Sequence, residues 1–398
     1  MLRYFFGFFI LACSYVIHSQ PIPLLDVAVL EKKTSVFISA QHGFRVFNNF
    51  DNKKLFTRWN GKSLNIKVSD RGFGFLQFNN LQSITIDPFK KGLTYVNGKG
   101  YRGKLKIFED RFGKLTVVNL IDIESYLYGV IKSEMLINSP IEALKAQAVV
   151  ARTYAIKNRD KFRKDGFGLT NDVRSQVYNG IDDEHEIARD VVNATRGKIL
   201  VFKDEPISGF YHSACGGSTL ASEDWHGKKI PYLLSKKCGW CDGYKNYKWN
   251  YELSYAALSA YLNQQGRKIR KINAVNFEHD EKGRVTRVQI IHQDGKLKIS
   301  GTAFRQLISA SKVRSTIFTS MDDSSGAVSE TSNRGEVAIM QILLNYNKRF
   351  NKLLLKGSGF GHGVGLCQWG AKGLAKQNLK YADILKYYFT GVNLKVIY

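Results

Sequence analysis

Between residues 24 and 118, apolar side chains recur at every second position in short runs separated by glycine turns. Ser35-Val36-Phe37-Ile38-Ser39 and Leu64-Asn65-Ile66-Lys67-Val68 are two such runs. A period of two sends alternate side chains to opposite faces of an extended chain, which suits half-buried strands and not helices. Gly43, Gly61, Gly72, Gly98, Gly100 and Gly113 supply the breaks. Residues 20–118 are therefore read as a β-rich N-terminal lobe. From Ser139 the period lengthens. Ser139 as N-cap, Pro140 at the first helical position and Glu142 at the third make a helix start with a capping box. Ile141, Leu144, Ala148, Val149 and Ala151-Arg152 carry the helical repeat to Tyr154, and the small side chains predict close packing.

A second helix is expected at 184–193, followed by strands over 198–211. Residues 252–348 read as a separate α+β unit. It holds a helix near 255–264, strands at 275–279 and 285–292 joined through Asp280-Glu281-Lys282-Gly283, and a helix near 302–309. Residues 322–334, rich in Ser, Asp, Gly and Asn, read as a surface linker. A glycine-rich run at 357–370 and a helix at 381–388 close the chain. The expected fold class is α+β: a β-rich N-terminal lobe (20–118) and a mixed α/β core (119–251), completed by 349–398, with an α+β lobe (252–348) inserted. No internal repeat is visible.

The 398 residues carry 59 Lys and Arg against 34 Asp and Glu, a formal charge of +25. Such a surface attracts polyanions through a field that salt screens. Nucleic acid, anionic lipid and an acidic bacterial wall all suit that charge, and so does simple solubility. The N-terminus narrows the choice. Arg3 precedes an apolar run at 4–13 broken only by Gly7, the length of a signal-peptide core and too short for a bilayer span. Residues 1–19 are expected to be an export signal, with Gln20 the mature start. Ile10-Leu11-Ala12 before Cys13 also resembles a lipobox. Lipid on Cys13 is thus the competing reading, and the one in which the protein meets a membrane. Either route leads to the periplasm, wall or extracellular face and counts against nucleic acid as a partner.

Several segments carry residues with chemical potential. Glu134 is followed by Met135, Leu136 and Ile137. Burial among them would raise its pKa and keep it protonated as a general acid, whereas a surface-loop glutamate would fit the same pattern. His212 with Cys215, and Cys238 with Cys241, offer ligand types and spacings of a tetrahedral zinc site. With all four positions filled, such a zinc would be structural. A Cys238–Cys241 disulfide with Cys215 buried is the alternative in an oxidising compartment. The run 357–370 alternates glycine with other residues and brings His362, Gln368 and Trp369: a proton carrier, an amide and a sugar-stacking face. No G-K-[ST] makes it a phosphate loop, and a tight strand-to-helix connection with a core histidine fits equally. Arg174-Ser175-Gln176-Val177-Tyr178 and Tyr101-Arg102-Gly103 are polar-aromatic clusters suited to sugar hydroxyls and carboxylates. Ordinary exposed residues would look the same.

In chain order, YLYGVIKSEM, EALKAQAVVARTYA, SQVYNG, HSACGG, FRQLI with a following RSTIF, and GFGHGVGLCQWGA resemble the SpoIID/LytB family. These are bacterial wall proteins that include sporulation lytic transglycosylases and amidase enhancers. The resemblance runs from about Tyr101 to the C-terminus. It implies that Glu134 holds the family's catalytic-glutamate position and that His212, Cys215, Cys238 and Cys241 bind zinc. Arg152, Arg174, Gln176, Tyr178, His362 and Gln368 are the implied substrate-binding residues. Leu136 departs from the pattern, since many relatives have proline after Glu-Met; the local turn is expected to change and the carboxyl's role to persist.

The implied activity is non-hydrolytic cleavage between N-acetylmuramic acid and N-acetylglucosamine. Glu134 would protonate the bridging oxygen, then take the proton of the muramoyl C6 hydroxyl as a 1,6-anhydro ring closes. The resemblance further implies peptidoglycan strands stripped of stem peptides as substrate, and their lactyl carboxylates suit a protein of this charge. Two competing expectations remain: a non-catalytic module that activates a partner cell-wall amidase, and a zinc-dependent hydrolase using the His/Cys site.

Overall fold

The computed structural model describes residues 20–58, 63–320 and 351–398. The signal-like segment 1–19 with Cys13, and the expected linker at 322–334, lie outside the described residues.

The alternating N-terminal pattern builds two sheets that share one core. The larger runs in the spatial order Leu169–Thr170, Leu24–Lys33, Leu115–Asp122, Lys104–Glu109, Ser83–Pro88, Phe44–Asn48 and Lys54–Arg58. The smaller runs Lys99–Tyr101, Thr94–Val96, Ser35–Ala40, Leu64–Ser69, Gly72–Phe75 and Phe78–Leu81. Val36, Ile38, Ile84 and Ile86 are the inward members of their strands and are fully buried. Each such side chain contributes about 1.5–3 kcal/mol of burial, and a one-residue slip would turn the whole set to solvent. That loss fixes the register.

The strand Leu115–Asp122 passes directly into helix α1, Ile123–Glu134. Asp122 caps it, its carboxylate accepting the Ser125 amide at 3.0 Å. Met135 leaves the helix with extended backbone, so Glu134 is the last helical residue. Helix α2, Ile141–Asn158, is buried on nearly every side. Its alanines let α1, α3 (Glu186–Ala194), the strand Lys198–Phe202 and two C-terminal helices, Gln368–Lys376 and Tyr381–Tyr388, pack around it. A helix covered all round needs no single apolar stripe. Its start departs from the expected capping box. The Ser139 hydroxyl donates to Leu136 O at 2.6 Å, and Glu142 accepts the Tyr381 amide at 2.8 Å. A tertiary donor has taken the carboxylate that the local motif would have used.

The C-terminal strand Asn393–Val396 pairs with Lys198–Phe202, and Leu366–Cys367 lies parallel to Tyr211–His212. Residues near the end of the chain, from Leu366 to Val396, thus complete a core begun much earlier. Between them, the antiparallel pair Lys248–Ser254 and Lys352–Ser358 leads into and out of the inserted lobe. That lobe contains the helices Tyr255–Gln264 and Gly301–Ile308 and the sheet Ile272–His279, Val285–His292 and Gly295–Ser300. Its own core runs from Trp249 through Leu258, Val288 and Phe304 to Leu355. Arg284 ties the lobe back, donating to Cys215 O at 2.9 Å and to Ser218 O. Among the described residues no helix is long and apolar enough to cross a membrane.

Candidate active site

Glu134 stands where α1 ends, and three elements converge on its carboxyl. The Val177 amide donates to Oε1 at 2.7 Å. The Tyr211 hydroxyl forms a second hydrogen bond. Tyr211 is held in turn by Gln176 Nε2 at 3.1 Å. Burial drives the Glu134 pKa above the ordinary glutamate value, and the two hydrogen bonds pull against it without overcoming it. The helix C-terminus adds to burial, because its unpaired carbonyls disfavour a negative charge.

Two cavities meet at this carboxyl. One, of 620 Å³, is lined by Tyr154, Phe210, Tyr211, Trp225, Arg305 and His362 among others. The second, of 490 Å³, is lined by Lys132, Tyr244, Lys245, Gln368, Trp369 and Lys372 among others. Glu134 and Ser213 belong to both walls. Each volume falls in the range of roughly 300–1,000 Å³ typical of ligand sites. Glu134 is the only carboxyl among the described residues that line either cavity. Aromatic rings line part of both walls: Lys372 Nζ lies 3.8 Å from the centre of the Trp369 ring, and His362 stacks on Trp225 at 5.0 Å. Such faces bind the apolar side of a sugar while leaving hydroxyls to polar neighbours. Leu136 lines the second cavity, and Ser139 N closes the turn onto Leu136 O at 3.0 Å.

Below the second cavity lie four buried free thiols: Cys215, Cys238, Cys241 and Cys367. Their sulfurs are all within 4.8 Å of one another, and Cys215 and Cys241 approach to 3.5 Å. Four thiolates around zinc at about 2.3 Å would stand about 3.8 Å apart, so this donor set fits a structural zinc. The Cys215 and Gly370 amides both donate to Cys367 Sγ at 3.3 Å, the polarity a thiolate needs. The cluster joins three segments that reach the cavity walls directly: Ser213 precedes Cys215, Gly243 to Asn246 follow Cys241, and Gln368 and Trp369 follow Cys367.

The thiol cluster differs from the expected ligand set in one member. Cys367 occupies the fourth place, and His212 stands outside the cluster with Nδ1 against Val364 O at 3.1 Å. His212 instead lines the larger cavity, its Nε2 buried without a partner among the described residues. The glycine-rich run creates this proximity. Gly361 has φ +125°, and a Cβ there would meet the His212 Cβ at 2.6 Å.

The implied substrate-binding residues divide. Arg174, His362 and Gln368 line the cavities. Arg174 is paired with Asp172 at 2.8 Å and with Glu31. His362 accepts the Val364 amide at 3.1 Å, and burial, then the charge of Arg305, lowers its pKa to about 4. It is therefore neutral at pH 7. Arg152, Gln176 and Tyr178 do not line either cavity. Arg152 is wholly buried in a two-pronged pair with Glu124, at 3.0 and 2.7 Å, and also donates to Lys198 O and Val192 O. Tyr178 packs on Tyr126 and donates to Asn119 Oδ1 at 3.0 Å. Gln176 acts one step behind, through Tyr211. Tyr101 is buried, and Arg102 pairs with Glu184 at 2.5 Å, so that cluster is also away from the cleft. Tyr211, Ser213, Tyr244 and Trp225 were not legible as site residues. Only the nearness of Tyr211 and Ser213 to His212 pointed toward them.

Residues 111–202 match the family described as Stage II sporulation protein, SpoIID. The chain is 32% identical over 321 residues to an uncharacterized protein of Brachyspira hyodysenteriae, covering 78% of each. It is 27% identical over 292 residues to Stage II sporulation protein D of Bacillus subtilis, covering 70% of this chain and 75% of that one. The amidase enhancer of Bacillus subtilis is 28% identical over 298 residues, which cover 67% of this chain and 40% of that longer protein. Ordered motifs and relatives over most of the chain's length agree: the chain belongs to the SpoIID/LytB family.

Proposed function

We propose that this protein is a lytic transglycosylase, which cleaves peptidoglycan strands between N-acetylmuramic acid and N-acetylglucosamine with Glu134 as sole acid and base. The family assignment supports a cell-wall-related role. The observation that carries the specific reading is a single carboxyl, of raised pKa, at the junction of two cavities whose described walls also hold aromatic rings and basic side chains.

A polymer lying through both cavities would present one inter-sugar oxygen to Glu134. Protonated, the carboxyl donates to that oxygen and the bond to C1 breaks as positive charge develops on the muramoyl ring. The Val177 amide and Tyr211 hydroxyl then steady the carboxylate that results. This carboxylate takes the proton of the C6 hydroxyl, whose oxygen bonds to C1 and closes the 1,6-anhydro ring. Glu134 is protonated again, and no water is consumed. Ordinary glycosidases need two carboxyls flanking the bond, and the described cavity walls supply one.

Cys215, Cys238, Cys241 and Cys367 would hold zinc in a closed, structural site. The metal would supply a clamp on the cavity floor; the thiols themselves bring Ser213, Gln368 and Trp369 to bear on the glycan. A substrate of this kind lies outside the cytoplasm, so the reading includes export. The amidase-enhancer relative favours a second reading, in which the cleft binds glycan without cutting it and the protein stimulates an amidase.

Product analysis separates these. Peptide-free glycan incubated with the protein in ¹⁸O-water is expected to yield 1,6-anhydro ends free of label. Labelled reducing ends would indicate a hydrolase. Intact glycan, together with stimulation of an added amidase, would favour the enhancer.

A further inference from the structure

Arg305 has no part in the proton transfer, yet it forms part of the cleft. It stands on the helix Gly301–Ile308 of the inserted lobe and lines the larger cavity with Glu134, Tyr211 and His362. It is 9% exposed, and its Nε is buried with no partner among the described residues. The other two cations of that cavity are engaged. Arg174 is paired with Asp172 and Glu31, and Lys161 donates to Arg174 O at 2.5 Å. Desolvation, with no offsetting carboxylate among the described residues, lowers the Arg305 pKa to about 10. A guanidinium taken out of water without a counter-charge is unfavourable, and binding an anion relieves it. The chain just beyond the helix is turned toward the same space: Ser309 has φ 150°, unusual for a residue with a side chain, and Ala310 and Ser311 line the cavity.

We propose that Arg305 is a carboxylate-recognition residue, pairing through its planar fork with the free carboxylate of an acidic sugar seated beside Glu134. The inserted lobe thereby sets a preference for anionic over neutral glycan. The assignment rests on the glycan reading above and names the residue that would discriminate within it. A guanidinium offers two parallel N–H groups to one carboxylate, a match that neutral N-acetylglucosamine oligomers cannot make and that an amide-linked stem peptide would remove. Lysine would keep the charge and lose the fork.

Calorimetric titration of the full chain carrying Glu134→Gln, which keeps ligands intact, tests this with two probes of equal length. One is a peptide-free muramoyl glycan oligomer; the other is the same oligomer with its carboxyls converted to methylamides. The acidic oligomer is expected to bind about 10- to 100-fold more tightly, the range for a hydrogen bond to a charged group. Adding Arg305→Gln should abolish that difference, and Arg305→Lys should restore part of it. A preference that survives Arg305→Gln, or equal weakening of both probes, overturns the assignment. Should Arg305→Gln fail to fold by circular dichroism, the two probes on the Arg305-containing chain decide, and equal affinities overturn it. Binding of neither probe refutes the glycan reading itself; binding without discrimination refutes only the role of Arg305.

Discussion

The Val177 amide reaches Oε1 of Glu134 at 2.7 Å from 43 residues further along the chain. With the Tyr211 hydroxyl it gives the carboxyl two donors, yet burial still holds the pKa above the ordinary value. The site thus favours the protonated acid more than water does, and it supplies donors to the ionised form that appears once the proton has left.

The pH profile should report this balance. Tyr211→Phe removes a hydrogen bond that favours the carboxylate, so the already raised pKa of Glu134 rises further. Rate depends on the protonated form and falls as pH climbs through that pKa. The alkaline limb of kcat/KM against pH should therefore move to higher pH in Tyr211→Phe. A limb that stays in place, or moves down, contradicts the role assigned to Tyr211.

The cysteine cluster yields a comparison between two variants. Cys367→Ser should reduce zinc in protein purified without added metal from about one per chain to near zero. His212→Asn should leave it unchanged, because His212 lies outside the cluster. Mass-spectrometric metal analysis of both proteins checks this. Zinc lost from His212→Asn and kept in Cys367→Ser would reinstate the ligand set expected from the sequence.

Local pattern made several elements legible in the sequence. The helices Tyr255–Gln264 and Tyr381–Tyr388 and the strand Val285–His292 form where the pattern placed them. Helix α1 was not foreseen, although Ile123, Tyr126, Leu127, Val130 and Ile131 carry the i, i+3, i+4, i+7, i+8 repeat of a buried face. Asp122, which caps it, was a further sign. Cys367 was not foreseen as a member of the thiol cluster because it is alone in its stretch of sequence, and the parallel pairing of Leu366–Cys367 with Tyr211–His212 carries it there. Arg152 was expected to bind substrate; its actual partner, Glu124, is on the preceding helix, 28 residues away.

That buried pair has a consequence of its own. Arg152→Met strands Glu124, which retains Gly197 N and Tyr398 OH as donors but loses its counter-charge. Breaking a buried pair in this way destabilises by about 3–5 kcal/mol. Urea unfolding should show a loss of that size, with KM per folded molecule little changed. A large rise in KM at unchanged stability would return Arg152 to the substrate site.

Glu134→Gln tests the central claim most directly. It keeps the side chain's shape and removes the transferable proton. Because the folded-state pKa of Glu134 is raised, its stabilising contribution is complete below the unfolded-state pKa and is lost as pH rises through the folded value. At pH 7 the variant should therefore be at least as stable as the parent. On peptide-free glycan, mass spectrometry should find anhydro ends formed at least about 100-fold more slowly, as expected for loss of a general acid. Anhydro ends produced by a folded Glu134→Gln protein at the parental rate would contradict the account.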